Sequence, residues 1–233
     1  MIKILKRGLL RAAGLLFALF LLYNLWIFAH VLWYVDHDPR MTSFMERGLQ
    51  QLREKDPHAR LQQQWVPYDR ICTNLKAAVV TSEDARFMSH HGFDWDGIQY
   101  ALQKNLKKDK LVAGGSTISQ QLAKNLFLSP DRSFLRKGEE AVITVMLEAV
   151  LGKRRILEIY LNVIQWGQGI YGAEAAARRY FHTSAANLSV AQSATLAAMI
   201  PDPEWYQNHR YGRGYRRRVA NVRDYIHDTL VPR

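Results

Sequence analysis

The chain has 233 residues, enough for one ordinary domain and an additional segment. Lys and Arg together number 32 against 21 Asp and Glu. This basic excess indicates an anionic partner such as nucleic acid, anionic lipid or a phosphorylated substrate. The single cysteine, Cys72, excludes an internal disulfide and carries no information about the redox compartment.

The N-terminal segment predicts a membrane-spanning helix. Residues 12–35 contain no Asp, Glu, Lys or Arg, and as a helix they would extend about 36 Å, more than a hydrocarbon core of about 30 Å. Basic residues precede this stretch and acidic residues follow it. We therefore predict a cytoplasmic basic N-terminus over 1–11 and a transmembrane helix over 12–35. The basic domain would then lie outside the cytoplasm, which excludes nucleic acid as its partner.

The remaining chain divides into two parts in this interpretation. Residues 36–70 are polar and contain three prolines, so we predict a juxtamembrane linker with one short helix near 42–54. Residues 71–233 predict one mainly α domain, because helical periodicity recurs while strand alternation is scarce. The predicted helices of this domain are 75–82, 95–107, 118–127, 134–151, 154–163, 170–180 and 190–199.

Two adjacent carboxylates at the end of an apolar helical pattern are the first candidates for chemistry. Glu83 and Asp84 follow a segment rich in Ala and Val, and desolvation there would raise a carboxyl pKa toward the range useful for proton transfer. The alternative is a solvated helix end with a nearby salt bridge, which these residues alone favour. His90 and His91 follow without the spacing of a metal site.

A glycine-rich segment before a helix is the second candidate. Thr117 and Gln120 have capping-box spacing, which predicts a helix beginning at Ile118. Two glycines before it let the backbone approach a ligand, and a helix N-terminus with a lysine two turns later suits phosphate. The alternative is an amphipathic helix behind a flexible loop, and the residues do not decide between the two.

Three further patterns have structural alternatives. Glu140 shares a helical stripe with core residues, and Arg136 is placed to pair with it, although a routine ion pair at a helix start explains both. The sequence G-x-G-x-x-G at 167–172 follows a helical rather than a strand pattern, so we reject dinucleotide binding and predict a turn. The arginine-rich tail at 210–223 predicts a solvated or lipid-facing cationic surface.

Taken in order, these segments resemble the peptidoglycan glycosyltransferase family over about residues 74–201. The motifs that carry the resemblance are E-D-x-x-F-x-x-H-x-G (83–92), G-G-S-T-I-S-Q-Q-x-x-K-N (114–125), R-K-x-x-E (136–140), I-L-E-x-Y-L-N with the glycine turn (156–172) and L-S-x-x-x-x-A-x-L-A-A (188–198). The sequence contains no Ser-x-x-Lys, so we expect no transpeptidase domain, as in the monofunctional members of Gram-negative bacteria.

The resemblance implies a mainly α, lysozyme-like domain behind one transmembrane helix. It implies polymerisation of lipid II into β-1,4-linked glycan with inversion and release of undecaprenyl diphosphate, in a periplasmic domain anchored in the bacterial inner membrane. Its partners would be lipid II, the growing strand and membrane lipids, with divisome or other cell-wall synthesis proteins left open. A lytic transglycosylase that cleaves strands and a non-catalytic membrane-tethered scaffold are the alternatives.

The resemblance also assigns site residues. The catalytic residues would be Glu83, as general base on the acceptor 4-hydroxyl, and Glu140, whose role is less defined. The substrate-binding residues would be Asp84, Phe87, His90, Gly114, Gly115, Ser116, Thr117, Gln120, Gln121, Lys124, Asn125, Arg132, Arg136 and Lys137. No residues form a protein-only metal site, so Mg²⁺ or Mn²⁺ would be held mainly by the substrate diphosphate.

Overall fold

The computed structural model describes residues 2–108, 115–131 and 133–233. The helices in these ranges are α1 (Ile2–Trp33), α2 (Ser43–Arg53), α3 (Thr73–Glu83), α4 (Trp95–Lys108), α5 (Ile118–Phe127), α6 (Phe134–Val150), α7 (Lys153–Val163), α8 (Ala173–Phe181), α9 (Val190–Ala197), α10 (Pro203–Asn208) and α11 (Arg213–Tyr225). The mainly α prediction is confirmed, and six of the seven predicted domain helices begin and end within two residues of the observed ones.

Side-chain caps explain where several of these helices begin. Thr117 and Gln120 form the predicted capping box at α5, and Ser189 with Gln192 forms a second one at α9. Ser133 accepts a hydrogen bond from a backbone amide in the first turn of α6. Such caps satisfy amide groups that lack partners within the helix, so a polar residue at this position sets the helix start.

The N-terminal helix is long and apolar. Within the described residues, Lys6–Trp33 is the one stretch that meets the length and hydropathy of a membrane span, with a mean hydropathy of 2.1. Most of its side chains are exposed, whereas Ile27 and Val31 near its end are fully buried against the domain. An apolar surface of this extent, uncovered by protein, suggests a membrane anchor.

The segment predicted as a linker instead packs into the domain. Met45 of α2, Val66 and Tyr68 belong to the buried core. The predicted short helix near 42–54 is confirmed as α2. Residues 36–70 are therefore part of the folded domain. A few apolar side chains in this segment are buried against the helices, although the segment as a whole is polar.

A small sheet interrupts the helical architecture. Strands β1 (Gln62–Gln63), β2 (Gln165–Gly167) and β3 (Ile170–Tyr171) have the order β1-β3-β2, with β1 parallel and β2 antiparallel to β3. The predicted helix at 170–180 is wrong at its start, because Gly172 has a φ of +83° and ends the extended segment before α8. The three glycines thus form a hairpin and its exit, not a βαβ unit.

The core holds the site-bearing helices in place. Most residues of α7 are buried, α5 packs against α6 and α7, and α3 packs against α9 and α11. The end of α3 and the start of α5 are consequently fixed on several sides. Glu83, a predicted catalytic residue, ends α3, and the start of α5 carries predicted substrate-binding residues.

Candidate functional site

A cavity of about 510 Å³ opens beside the end of α3. Its walls come from α3, the segment before α5, α5 itself, the residues after α9 and α11. The lining residues are Thr81, Ser82, Glu83, Ser116, Gln121, Pro201, Arg218, Asn221, Val222 and Tyr225. Polar and charged groups from four separate parts of the chain therefore converge on one cavity, as expected for a binding or active site.

Glu83, the last residue of α3, is the acidic group of this cavity. Burial raises the pKa of its carboxyl group, and the neighbouring Asp84 acts in the same direction. Hydrogen bonds from Gln121 Nε2 (3.0 Å) and Ser82 Oγ (3.1 Å), with the positive charge of Arg218, oppose this rise. A carboxylate with a raised pKa that lines a cavity is suited to accept a proton near neutral pH.

Asp84 joins the end of α3 to the start of α5. Its Oδ2 accepts a hydrogen bond from the backbone amide of Ile118 (3.0 Å), and both carboxylate oxygens lie within 3.0 Å of His90 Nε2. A carboxylate is favoured at a helix N-terminus, where unpaired amides point outward. Asp84 and His90 are buried and position the end of α3 against the start of α5, while their contact with substrate stays a prediction.

Three other predicted binding residues are also enclosed by protein. Phe87 is fully buried beneath the Nζ of Lys153, 4.4 Å from its ring centroid. Thr117 donates to the carbonyl of Gly92 (2.6 Å), and the side chain of Gln120 accepts from the Thr117 amide (3.0 Å). The polar groups of Thr117 and Gln120 are hydrogen-bonded inside the protein and shape the loop before α5, while substrate binding by these three residues stays a prediction.

Two predicted residues of the second motif line the cavity. Ser116 is exposed at its rim, and Gln121 reaches the Glu83 carboxylate. Gly115 lies against Ile98, whose Cα would be 3.1 Å from an added Cβ, so a larger residue would crowd the start of α4. Asn125 is buried and donates to the Gln121 carbonyl (2.7 Å). Gly114 lies outside the described residues.

The third motif forms a compact ion cluster on α6. Glu140 is buried and accepts hydrogen bonds from Arg136 Nη1 (2.7 Å) and from Lys137 Nζ. It does not line the Glu83 cavity, so the two predicted catalytic carboxylates have separate environments. Lys124 of α5 is half-buried, with its Nζ 5.4 Å from the ring centroid of Phe44. Arg132 lies outside the described residues.

Arg218 is a site residue that the sequence reasoning missed. The sequence predicts a solvated or lipid-facing cationic surface for the whole arginine-rich tail, but α11 places the side chain of Arg218 in the lining of the cavity. Its Nη1 contacts the carbonyl of Ala198 (3.3 Å) and the hydroxyl of Tyr206 (3.1 Å). The signal was the spacing of Arg218 from Tyr215 and Val222, both buried, which places all three on one face of a helix.

Metal binding by protein groups alone finds no support in the described ranges. Residues 2–108, 115–131 and 133–233 contain no group of three or more His, Cys, Asp or Glu side chains arranged to hold an ion. Both oxygens of Glu140 are already paired with cationic side chains. The donor set that the described residues offer therefore does not fit a resident divalent cation.

Known proteins resemble this chain along most of its length. The sequence model described as "Transglycosylase" matches residues 49–227. A biosynthetic peptidoglycan transglycosylase of Thiobacillus denitrificans is 65% identical over 216 residues, which cover 93% of each chain. Proteins of the same name are 58% identical in Chromobacterium violaceum, over 93% of this chain and 95% of that one, and 53% identical in Laribacter hongkongensis, over 97% and 99%.

The family match extends over more than half of the chain, and it includes both the residues of the Glu83 cavity and the ion cluster on α6. The resemblance stated from the five motifs is thereby confirmed, together with the expected class of fold. This chain belongs to the transglycosylase family, and its helical domain has the lysozyme-like fold of that family.

Proposed function

We propose that the protein polymerises lipid II into β-1,4-linked glycan strands of peptidoglycan. The observation that carries this proposal is Glu83, a carboxylate with a raised pKa that lines a cavity together with Gln121 and Arg218. The names of the relatives support peptidoglycan as the product. The same site residues on a helical, lysozyme-like domain also suit the handling of a sugar chain in a groove.

Glu83 acts as the general base in this proposal. It takes the proton of the acceptor 4-hydroxyl while that oxygen forms a bond to the anomeric carbon of the donor. The bond from this carbon to the diphosphate oxygen breaks, and undecaprenyl diphosphate leaves with the electron pair. Attack opposite the leaving group inverts the anomeric configuration. Gln121 holds the carboxylate toward the cavity through its hydrogen bond.

The leaving diphosphate needs neutralisation of its charge more than it needs a proton. Arg136 and Lys137 supply two cationic groups on one turn of α6, and Glu140 holds both in position. The Nε of Arg136 is buried, and no described residue is its hydrogen-bond partner. We propose that these residues, with Lys124 and Arg132, bind the diphosphate, and that any Mg²⁺ or Mn²⁺ is held by the diphosphate itself.

A membrane position suits a lipid-linked substrate. α6 packs against the apolar helix α1, with Glu139 beside Tyr23, so the N-terminal half of α6, which includes its first turn, lies beside the apolar span. Phe134 and Leu135 in that turn are 99% and 89% exposed. We propose that α1 crosses the inner membrane with its N-terminus in the cytoplasm, and that this turn contacts lipid on the periplasmic side.

The test is polymerisation of labelled lipid II by the detergent-solubilised full chain. Wild type is compared with Glu83→Gln, which keeps the shape of the side chain but cannot accept the proton. Glu54→Gln removes one carboxylate from an exposed position and serves as the control. We expect polymer from wild type and Glu54→Gln, digestible by lysozyme, and a loss of at least about 100-fold in rate from Glu83→Gln, in line with the loss of a general base.

Each other outcome has a definite meaning. Polymer from Glu83→Gln at the wild-type rate would refute the assignment of the base while keeping the reaction. Absence of polymer from wild type, with release of muropeptides from purified cell wall, would establish the cleaving reaction instead. Neither activity from wild type, under varied detergent and divalent cation, would support the non-catalytic scaffold.

A further inference from the structure

Two hydrogen bonds in series connect helix α7 to the cavity. The hydroxyl of Tyr160 donates to Gln121 Oε1 (2.8 Å), and Gln121 Nε2 donates to Glu83 Oε2 (3.0 Å). Tyr160 is fully buried, so its ring is fixed by packing on every side. Gln121 is half-buried and stands between this fixed hydroxyl and the carboxylate.

The donor and acceptor of each of these two hydrogen bonds follow from the chemistry of the three side chains. An ionised carboxylate only accepts hydrogen bonds, so the NH₂ group of Gln121 must face Glu83. The amide oxygen must then face the opposite way, where it meets the Tyr160 hydroxyl. Burial raises the pKa of Tyr160 well above its ordinary value, and the negative charges of Glu83 and Asp84 add to this rise, so the hydroxyl keeps its proton.

We propose that Tyr160 is a positioning residue for glycosyl transfer, which fixes the Gln121 amide so that its NH₂ group always faces the Glu83 carboxylate. Without the hydroxyl, the amide oxygen of Gln121 loses its donor, so the NH₂ group is held less firmly and donates a weaker hydrogen bond to Glu83. The inference rests on the proposed role of Glu83 as general base. It gives the tyrosine of the I-L-E-x-Y-L-N motif a part in setting the proton affinity of the base.

Charged and titratable groups from each neighbouring element act on Glu83 in addition. Asp84 follows it in the chain, Arg218 faces it from α11, and Tyr160 faces it from α7. Tyr225 of α11 also lines the cavity. Of these groups, only Tyr160 acts through the orientation of an amide, so its removal changes one hydrogen bond and leaves the formal charges around the carboxylate unchanged.

The experiment compares the pH dependence of kcat/KM in wild type, Tyr160→Phe and Tyr68→Phe, using the full chain and lipid II. Tyr68 is an equally enclosed tyrosine whose hydroxyl donates to the Pro232 carbonyl (2.6 Å), away from the cavity. In Tyr160→Phe the acid limb of the kcat/KM profile should move to higher pH. The hydrogen bond from Gln121 then stabilises the Glu83 carboxylate less, so the pKa of Glu83 rises. A rise of one unit lowers kcat/KM on that limb about tenfold, with recovery at higher pH. Tyr68→Phe should keep the wild-type profile.

A double-mutant cycle with Gln121→Ala tests whether Tyr160 acts on Glu83 through Gln121. If Tyr160 acts through Gln121, adding Tyr160→Phe to Gln121→Ala moves the acid limb no further. If Tyr160→Phe does not fold, 3-fluorotyrosine at position 160 replaces it. This residue keeps the ring and is a stronger donor, so the acid limb should move to lower pH.

The outcomes separate this inference from the proposed function. If Glu83→Gln is inactive but Tyr160→Phe has the same acid limb as Tyr68→Phe, or loses activity evenly at all pH values, the positioning role is refuted and the general base stands. An acid limb unmoved by 3-fluorotyrosine refutes it likewise. If Glu83→Gln polymerises lipid II normally, the proposed base is refuted first, whatever Tyr160→Phe does.

Discussion

At the scale of single residues, burial makes Glu83 useful as a base and costly to the fold. The pKa of its carboxyl group is raised above 4.5, so folding favours the protonated form. The stability that this group contributes is fully present below about pH 4.5 and is lost as the pH rises through the folded-state pKa. Near neutral pH the ionised carboxylate therefore destabilises the folded protein.

The destabilising effect of ionised Glu83 leads to a prediction for the stability of Glu83→Gln. Glu83→Gln should melt at a higher temperature than wild type at pH 7 to 8, because the neutral amide avoids the cost of the buried charge. The difference should shrink toward pH 4, where Glu83 is protonated. Thermal unfolding of both proteins across this pH range is the measurement, with Glu54→Gln as control for the loss of one negative charge. A lower melting temperature for Glu83→Gln at pH 8 would contradict the argument.

The sequence predicted Glu83 but not Arg218, and the reason is physical. Glu83 ends a helix whose apolar pattern is visible locally, so its desolvation can be expected from neighbours in the chain. Arg218 reaches the cavity only because α11 folds back on α3 and α9. Neighbouring arginines in the same run stay exposed, and composition alone does not separate them from Arg218.

At the scale of elements, helix starts were predictable where a side chain caps them, and so was the glycine turn at 167–172, but the backbone conformation of Gly172 was not. Gly172 has a φ of +83°, and an added Cβ would lie 2.7 Å from the carbonyl oxygen of Asn162. Helical periodicity from 170 to 180 gave no indication of this conformation. The crowding involves the carbonyl of Asn162 in α7, which is distant from Gly172 in the sequence and close to it in the fold.

Gly172→Ala should consequently destabilise the protein by at least about 1–3 kcal/mol, since it forces a non-glycine residue into a backbone region reserved for glycine. Gly138→Ala is the matched control, because Gly138 lies inside α6 with no atom within 4 Å of an added Cβ. That substitution should stabilise by about 0.5–1 kcal/mol. Urea unfolding measures both, and equal effects of the two substitutions would contradict the prediction.

At the scale of the whole molecule, the long apolar helix α1 was predictable from composition, whereas its contact with the domain was not. A run without charges indicates a span by itself. The packing of α6 along α1 depends on tertiary structure, as does the exposure of Phe134 and Leu135. Residues 36–70 are mostly polar, so their packing against the domain through a few apolar side chains was not predicted.

Contact of the first turn of α6 with lipid can be measured directly. A cysteine replacing Phe134, in a Cys72→Ser background, is labelled with an environment-sensitive dye and reconstituted in vesicles. Its emission should be blue-shifted in the bilayer, because the side chain is 99% exposed beside the apolar helix. A cysteine replacing Tyr211, an exposed residue before α11, is the control and should report water. Equal emission from both positions would contradict the proposed contact.

The packing of residues 36–70 against the domain also bears on how a strand would grow. Arg155 of α7 donates to the Tyr34 carbonyl (2.8 Å) and to the His37 carbonyl (2.9 Å), so the end of α1 is fastened to the core of the domain. With α1 in a bilayer, the cavity keeps a constant height and tilt above the lipid surface. A substrate held in the same bilayer by its lipid would then meet the cavity at the same distance from the membrane surface in every round of elongation.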